Sequence, residues 1–282
     1  MAVFFNQASL SYGGNITNSN VVSGEIITGV SITKTAGTTD YGANETITYV
    51  VSIVNAESTP YTNLTLTDNL GLYTLPGGTE LVPLDYVANS VIYYQNGVLQ
   101  SAPAVTAGPP LTITGITVPA GGNVIIIYEG RANEFAPLNA NGSITNIATI
   151  DACEEAEATV TVPVRNESNL NVAKSVCPPV VTCSGEVNYT FVIQNTGNTA
   201  VVATDDLVLS DTFNPILKNI TVTLDGVDLV EGVDYTYNEV TGEFATVASR
   251  ITVPAATYTT DPVTGVITST PGVATLTVTG TL

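Results

Sequence analysis

The feature that most constrains the fold of this chain is an internal repeat. Short blocks in the first half recur, in the same order, in the second half. The paired blocks are residues 30–35 and 170–175, 49–55 and 189–195, 64–70 and 207–213, and 116–120 and 251–255. Val, Ile, Thr and Tyr alternate with period two within the blocks, and Gly, Pro and Asn separate them, which is typical of strands joined by turns. A repeat of this kind predicts two copies of one all-β unit.

The strand and turn signals predict how these copies are organised. Each copy carries a hairpin dipeptide, Asn96-Gly97 or Asp225-Gly226, which suits a type I′ turn because both central residues take positive φ. No stretch has a helical period. We predict an all-β chain of two tandem β-sandwiches behind an N-terminal arm. The predicted segments are an arm at 1–12, a flexible tether at 13–25, a complete sandwich at 26–165 and a second sandwich at 166–282.

The two copies differ at their ends. The first continues beyond residues 124–128 into another strand-like block at 144–150, whereas the second reaches Leu282 soon after the matching block at 274–278. We therefore expect the second sandwich to lack its last strand. The arm contains the pattern Asn-x-Ala-Ser-Leu from Asn6, which resembles Asn-x-Ala-Thr-Ile from Asn146. This similarity predicts that the arm supplies a strand.

The sequence leaves three possible roles for the arm. It can complete the second sandwich of a neighbouring subunit by strand addition, and head-to-tail repetition then gives an open filament. It can instead fold back onto its own second sandwich, or it can have no such role.

Composition excludes several classes of function. The chain has 25 acidic and 6 basic residues, a formal charge of −19, so we expect neither nucleic acid nor a membrane as a partner. It has no histidine, which removes imidazole catalysis and histidine metal ligation. We predict no enzyme activity on a substrate, no cofactor and no metal site. The first residues lack the basic and apolar regions of a signal peptide.

Three cysteines give a limited signal. Cys177 and Cys183 enclose a short loop that a disulfide could close, and two free thiols are the alternative. Cys153 is left over, either unpaired or available to bridge subunits.

The repeated blocks resemble a bacterial surface repeat known as "domain of unknown function eleven", an Ig-like module common in Gram-positive surface proteins. A lysine in the first strand, a mid-domain acid and an asparagine in the last strand are also similar to the isopeptide-forming modules of Gram-positive adhesins and pilins. This second resemblance implies a spontaneous Lys–Asn amide crosslink. The residues it implies are Lys34, Asp68 and Asn146 within the first sandwich, and Lys174 and Asp211 with Asn6 of a neighbouring subunit in the second.

The chemistry of such a crosslink can be argued from the residue types. A buried lysine loses its charge more readily and can attack a carboxamide, while a protonated acid polarises the carbonyl. Lys34 and Lys174 each follow a β-branched residue two places earlier, Ile32 or Val172, which shares the face of the lysine on a strand. Glu45 and Glu186 remain alternatives to the two aspartates as the acid.

The sequence thus predicts a structural subunit that assembles head to tail with itself into a fibre. We expect this fibre outside the cell, on a bacterial cell or spore surface, with an anchoring or tip protein as a further candidate partner. The alternative is a monomeric surface adhesin or stalk module. In that case loops at 71–86 and 257–270 would bind a host or cell-wall ligand.

Overall fold

The fold is all-β and divides into two compact units. A computed structural model describes residues 3–25, 29–152, 155–182 and 185–282. One unit comprises Met1–Ala136 and Ile144–Val162, and the other comprises Pro137–Ser143 and Pro163–Leu282. The prediction of an all-β chain with two tandem Ig-like β-sandwiches is confirmed. Within the described ranges the helical content is a 3-10 turn at Ala203–Asp205, and no helix there has the length and hydropathy to cross a membrane.

Residues 3–25 form an exposed two-stranded hairpin, which we call the N-terminal ribbon. Its strands are β1 (Val3–Asn6), β2 (Ser9–Tyr12), β3 (Asn15–Asn18) and β4 (Val22–Glu25). β1 pairs antiparallel with β4, and β2 pairs with β3. Gly13 and Gly14 form the turn with φ of 52° and 83°, values that suit residues without a Cβ.

The ribbon corrects one sequence-based expectation. Residues 13–25 were predicted to be a flexible tether, but much of this segment is strand. The predicted tether is therefore the second strand of a hairpin whose first strand is the predicted arm. The physical reason is the Gly13-Gly14 pair. Both glycines take positive φ and form a tight turn that reverses the chain, whereas a flexible segment was expected from their composition.

The first sandwich, sandwich 1, consists of two sheets. Its strands are β5 (Val30–Ala36), β6 (Thr46–Asn55), β7 (Tyr61–Asp68), β8 (Tyr73–Thr74), β9 (Glu80–Leu81), β10 (Leu84–Tyr86), β11 (Ile92–Gln95), β12 (Val98–Gln100), β13 (Ala104–Thr106), β14 (Leu111–Val118), β15 (Asn123–Ala132), β16 (Ser143–Asp151) and β17 (Glu155–Pro163). One sheet has the order β12-β11-β15-β6-β5, with β10 also on β15, and the other has the order β13-β14-β7-β16-β17. Alternate residues of the long strands are buried, which gives a core between two antiparallel sheets.

The second sandwich, sandwich 2, repeats this plan with fewer strands. They are β18 (Leu170–Cys177), β19 (Glu186–Asn195), β20 (Ser210–Thr212), β21 (Lys218–Leu224), β22 (Val227–Asp228), β23 (Tyr235–Tyr237), β24 (Glu243–Thr246), β25 (Thr257–Thr260), β26 (Ile267–Thr270) and β27 (Gly272–Thr281). The larger sheet has the order β18-β19-β27-β21-β22, and the smaller has the order β20-β24-β23.

An asparagine clamp confirms that the two copies share one register. The Asn55 carboxamide donates to the carbonyl oxygens of Thr59, at 2.8 Å, and Pro119, at 2.9 Å. In the second copy Asn195 donates to Thr199 at 2.7 Å and to Pro254 at 3.1 Å. Each asparagine ends one repeated block, 49–55 or 189–195, and each proline belongs to another, 116–120 or 251–255. The recurrence of these blocks is therefore explained by a buried polar contact that each sandwich needs.

The smaller sheet has a free edge in sandwich 2. In sandwich 1, β7 lies between β14 and β16, and β17 lies outside β16. The corresponding strand, β20, pairs with β24 on one side. Within the described part of sandwich 2, no strand covers the other side of β20.

Candidate functional site

The first candidate site is a buried lysine cluster in sandwich 1. Lys34 lies on β5 and its side chain is 0% exposed. Its ammonium forms an ion pair with the Asp68 carboxylate at the end of β7. The Lys34 Nζ also lies 4.9 Å from the ring centroid of Tyr49 and 5.8 Å from that of Tyr128. A charged pair in such surroundings is costly unless its members are fully bonded.

Asp68 is the centre of the contacts in this cluster. Its Oδ2 accepts a hydrogen bond from the Tyr128 hydroxyl as well as from Lys34. Its Oδ1 accepts from the backbone N–H of Leu70 at 2.9 Å. The carboxyl group is thus held in one orientation by three donors.

Asn146 completes the cluster and is its most unusual member. It lies on β16, two residues before Ala148, whose backbone is opposite Asp68. The side chain is fully buried, and neither its Nδ2 nor its Oδ1 has a hydrogen-bond partner among the described residues. The buried Tyr49 hydroxyl also lacks a partner there. Unpaired buried polar atoms are rare in folded proteins and call for a chemical explanation.

Burial controls the protonation of this cluster. It lowers the pKa of Lys34 to about 8, and the neighbouring Asp68 carboxylate only partly offsets this effect. Burial also raises the pKa of Tyr49 and of Tyr128 above the ordinary tyrosine range, while the adjacent Asn146 carboxamide acts in the opposite direction. At neutral pH Lys34 therefore has a larger neutral fraction than an exposed lysine, and both tyrosines keep their protons.

Sandwich 2 holds a corresponding cluster in a more open setting. Lys174 on β18 pairs with Asp211 on β20, but the two side chains are 39% and 20% exposed. The Lys174 Nζ lies 4.6 Å from the Tyr189 ring centroid and 5.2 Å from that of Phe213. The aromatic rings thus partly replace the enclosure that Lys34 has.

Two members of the first cluster have no counterpart in the second. The register pairs Tyr49 with Tyr128 across β6 and β15, and it pairs Tyr189 with Val278 across β19 and β27. Sandwich 2 therefore has a valine where sandwich 1 has the hydroxyl that donates to Asp68. No described residue of sandwich 2 corresponds to Asn146, because β16 has no equivalent there.

A groove runs beside the second cluster. It has a volume of about 310 Å³ and is lined largely by apolar side chains of β18 and of the segment that leads into β20. Val172 is 63% exposed, whereas Ile32, at the same place in sandwich 1, is 9% exposed. The facing sheet also differs, since β16 and β17 extend it beyond β7 in sandwich 1 and no described strand takes their place beside β20 in sandwich 2.

The other residues singled out from the sequence have the following positions. Asn6 lies in the exposed N-terminal ribbon. Glu45 and Glu186 are exposed, and the two aspartates contact the lysines, so the geometry favours Asp68 and Asp211 as the acids. Cys177 is exposed. Cys153 and Cys183 lie outside the described residues, so their pairing stays a prediction.

Sequence reasoning missed the two tyrosines of the first cluster. Tyr49 begins the repeated block at 49–55 and Tyr128 ends the block at 124–128, but neither pattern assigns the tyrosine a role. The signal that could have found them is the alternation of their strands, which directs both side chains to the core, where a phenol needs a partner. As for metals, the described residues contain no cluster of acidic or sulfur side chains that could hold an ion.

Comparison with known proteins gives similarity at the level of solved structures. No family model matches the sequence and no curated protein matches it, so the family resemblance drawn from the repeated blocks is not confirmed. BcpA, the major pilin subunit of Bacillus cereus, is 13% identical over 96% of this chain and 73% of its own, with a TM-score of 0.37. The major pilin SpaD of Corynebacterium diphtheriae is 14% identical over 85% of this chain and 58% of its own, with a TM-score of 0.36.

The pilus backbone protein RrgB of Streptococcus pneumoniae is a further structural match. It is 13% identical over 86% of this chain and 92% of its own, with a TM-score of 0.32. Similarity at this level does not assign a function, which depends on the residues of the two lysine clusters.

Proposed function

We propose that this protein is a structural subunit of an extracellular surface fibre, stabilised by Lys–Asn isopeptide bonds. The observation that carries this proposal is the contrast between a closed lysine cluster, which includes an unpaired buried asparagine, and an open cluster beside an apolar groove. The first has the groups for an internal crosslink. The second has the lysine and the acid but needs a strand and an amide.

The internal bond would form between Lys34 and Asn146. The neutral Lys34 amine attacks the Asn146 carboxamide carbon, and the new C–N bond replaces the bond to Nδ2, which leaves as ammonia. Before the attack the Lys34 ammonium passes one proton to the Asp68 carboxylate, which leaves a neutral amine and a protonated acid that can donate to the carbonyl oxygen. A second proton of the amine is transferred to the leaving Nδ2 group, with Asp68 as the relay, so that ammonia departs and Asp68 stays protonated. This reaction removes one unpaired atom, Nδ2, and gives the oxygen a donor in a protonated Asp68.

The intermolecular bond would use the N-terminal ribbon of another subunit. Its Asn6 lies in the same local pattern as Asn146, and Phe4 and Leu10 expose 62% and 64% of their surface. Burial of such side chains in the groove of sandwich 2 would stabilise the contact by about 1.5–3 kcal/mol for each side chain fully buried. One ribbon and one groove per subunit make the contact heterologous, so it propagates head to tail.

Self-closure is less compatible with the fold than addition to a second copy. It depends on residues 13–25 acting as an extended tether, and in the structure Asn15–Asn18 and Val22–Glu25 are paired strands. We therefore assign the ribbon to a neighbouring subunit. The autocatalytic crosslink is the only chemistry in this scheme, with no substrate turned over, no cofactor and no nucleic acid or membrane partner. An anchoring or tip protein would sit at an end of the fibre.

The test is denaturing electrophoresis combined with intact-mass measurement of purified protein. We expect ladders that survive boiling and reductant, with one ammonia lost for each bond. Asn146→Ala should remove the internal loss and keep the ladder. Asn6→Ala should remove the ladder, while filaments remain visible by electron microscopy.

The controls separate the two bonds from assembly itself. Asn20→Ala, a matched change between β3 and β4 of the ribbon, should leave the ladder and the loss of ammonia unchanged. Deletion of residues 1–12 should abolish filaments. Filaments that persist after this deletion would refute the fibre mechanism, and parent protein of unmodified mass would refute the crosslink.

A single-chain adhesin is the second candidate. It is favoured only by the exposed hairpin β25–β26, which could present a ligand-binding loop. A strictly monomeric protein in the same experiment would support it.

A further inference from the structure

The opening in sandwich 2 is two strands wide. In sandwich 1 both β16 and β17 lie beyond β7, whereas the smaller sheet of sandwich 2 stops at β20 in the described residues. A single added strand would cover the edge of β20 and leave its own far edge exposed. An exposed edge of this kind invites further pairing.

The N-terminal ribbon has the same two-stranded form as the pair β16–β17. In both, the strand that carries the asparagine comes first in the chain and pairs with a strand that follows it. The ribbon is held together along most of its length, and Ser19 adds a backbone hydrogen bond to Ala8 at 2.8 Å.

From this match we propose that the donor is the intact ribbon of a second copy of this chain, which docks as a preformed hairpin and replaces the equivalents of both β16 and β17. This proposal rests on the proposed function, and it specifies what is donated. It differs from donation of the arm alone, which would first require β1 and β2 to separate from β4 and β3.

One face of the ribbon has the side chains that the opening needs. Ile144, Asn146, Ala148 and Ile150 are the buried residues of β16. The residues at the same positions in the ribbon, aligned on the asparagine, are Phe4, Asn6, Ala8 and Leu10. Phe4 and Asn6 share one face of β1, and docking on β20 as one strand would bring Ala8 and Leu10 to the same face. The opposite strand adds Gly24, and the Phe4 ring lies directly over it, at a point where a Cβ would collide with the ring.

The docked register follows from the pairing in sandwich 1. There Ala148 is opposite Asp68, Thr149 is opposite Thr67 and Ile150 is opposite Leu66. The same register would put Ala8 opposite Asp211, Ser9 opposite Ser210 and Leu10 opposite Leu209. Asn6 would then take the position that Asn146 has relative to the aspartate, and Leu10 would cover the apolar groove.

Docking of a preformed hairpin is also favoured energetically. A strand that is already paired loses less conformational freedom on binding than a free arm. A two-stranded hairpin is only marginally stable alone in water, and the ribbon exposes apolar side chains on both faces. Docking on the free edge of β20 would stabilise the hairpin, because it would add a paired strand and bury apolar side chains.

The first experiment distinguishes an intact hairpin from a single strand. Gly14→Pro is incompatible with the φ of 83° at the turn, and Ser23→Pro lies in β4 opposite Phe5. Both should raise the protein concentration needed for filament formation at least roughly tenfold, because they disrupt the pairing that holds the donor together. Asn20→Pro, between β3 and β4, is the matched control and should assemble like the parent.

The outcomes separate this inference from the proposed function. If both proline variants assemble as readily as Asn20→Pro while deletion of residues 1–12 abolishes filaments, the donor is a single strand and the hairpin proposal fails. If filaments survive the deletion, the proposed function fails first.

The second experiment tests the register. In a variant whose three cysteines are replaced by serine, the pair Ser9→Cys and Ser210→Cys should form disulfide-linked oligomers on oxidation. The displaced pair Ser9→Cys and Thr212→Cys should form far fewer. Equal crosslinking of the two pairs, or preference for the displaced pair, would overturn the register.

Discussion

The two sandwiches place the same lysine in two different environments. The Lys34 side chain is 0% exposed and that of Lys174 is 39% exposed, although each lies on the first strand of its domain and pairs with an aspartate. The difference does not come from the lysine strand itself. The two sandwiches differ in the facing sheet, where β16 and β17 lie beyond β7 in sandwich 1 and have no counterpart in the described part of sandwich 2.

This comparison separates two requirements of the crosslink. The ion pair is present in both sandwiches, so the first strand and its partner aspartate can be positioned without a closing strand. The crosslink also requires burial, which lowers the pKa of Lys34, and a carboxamide. The carboxamide of Asn146 lies on β16, which is also one of the strands that close the core of sandwich 1. A docked ribbon would therefore provide both at the same moment, and the intermolecular reaction would be confined to correctly assembled subunits.

The largest expected effect tests the difference in burial. In an Asn146→Ala background, which cannot form the internal bond, Lys34→Ala leaves Asp68 buried without its cation. We expect sandwich 1 to lose about 3–5 kcal/mol of stability. Lys174→Ala breaks a partly exposed pair, and sandwich 2 should lose about 0–1 kcal/mol.

Hydrogen exchange read by mass spectrometry resolves the two sandwiches in one sample. Faster exchange confined to β5, β6 and β15 after Lys34→Ala is the expected pattern. Equal losses in both sandwiches would contradict the comparison, since they would mean that exposure does not determine the cost of removing the lysine.

An intermediate effect concerns pH, again in the Asn146→Ala variant. The pKa of Lys34 is lowered from 10.5 to about 8, so above about pH 8 the unfolded chain binds more protons than the folded chain. The stability of sandwich 1 should therefore rise with pH, by about 2–3 kcal/mol between about pH 8 and pH 10. Tyr49 and Tyr128 have raised pKa values, so they reverse this trend above about pH 10, where unfolded tyrosines ionise.

Urea unfolding across this pH range measures the effect. The additional change Lys34→Met is the matched control, because it removes the titrating group and should abolish the rise below pH 10. A stability that is flat or falling between pH 8 and pH 10 in the Lys34-containing variant would show that the amine is not buried as described.

Much of this arrangement was predictable from local sequence, and the rest depended on tertiary contacts. Period-two alternation and the repeated blocks predicted the sandwiches, and the spacing of Ile32 and Lys34 predicted a lysine that faces the core. The role of Tyr128 was not predictable in this way, because it depends on which residue of β7 faces it across the core. The ribbon was missed because glycine and asparagine are typical of both flexible segments and tight turns, and the pairing partner decides between them.

The smallest expected effect on the isolated chain is the most informative about assembly. Val172 is 63% exposed, so Val172→Ala should change the stability of the unassembled subunit by no more than about 0.5 kcal/mol. It lines the groove that the ribbon would fill, however, and a docked ribbon would bury it, as Ile32 is buried at the same place in sandwich 1. We therefore expect the concentration needed for filament formation to rise roughly threefold to tenfold, as expected for the loss of about one to two buried methyl groups.

Val180→Ala is the control, since Val180 is 85% exposed and lies outside the groove. If Val172→Ala and Val180→Ala assemble equally well, the groove is not where the strand enters, and the open side of sandwich 2 has another use.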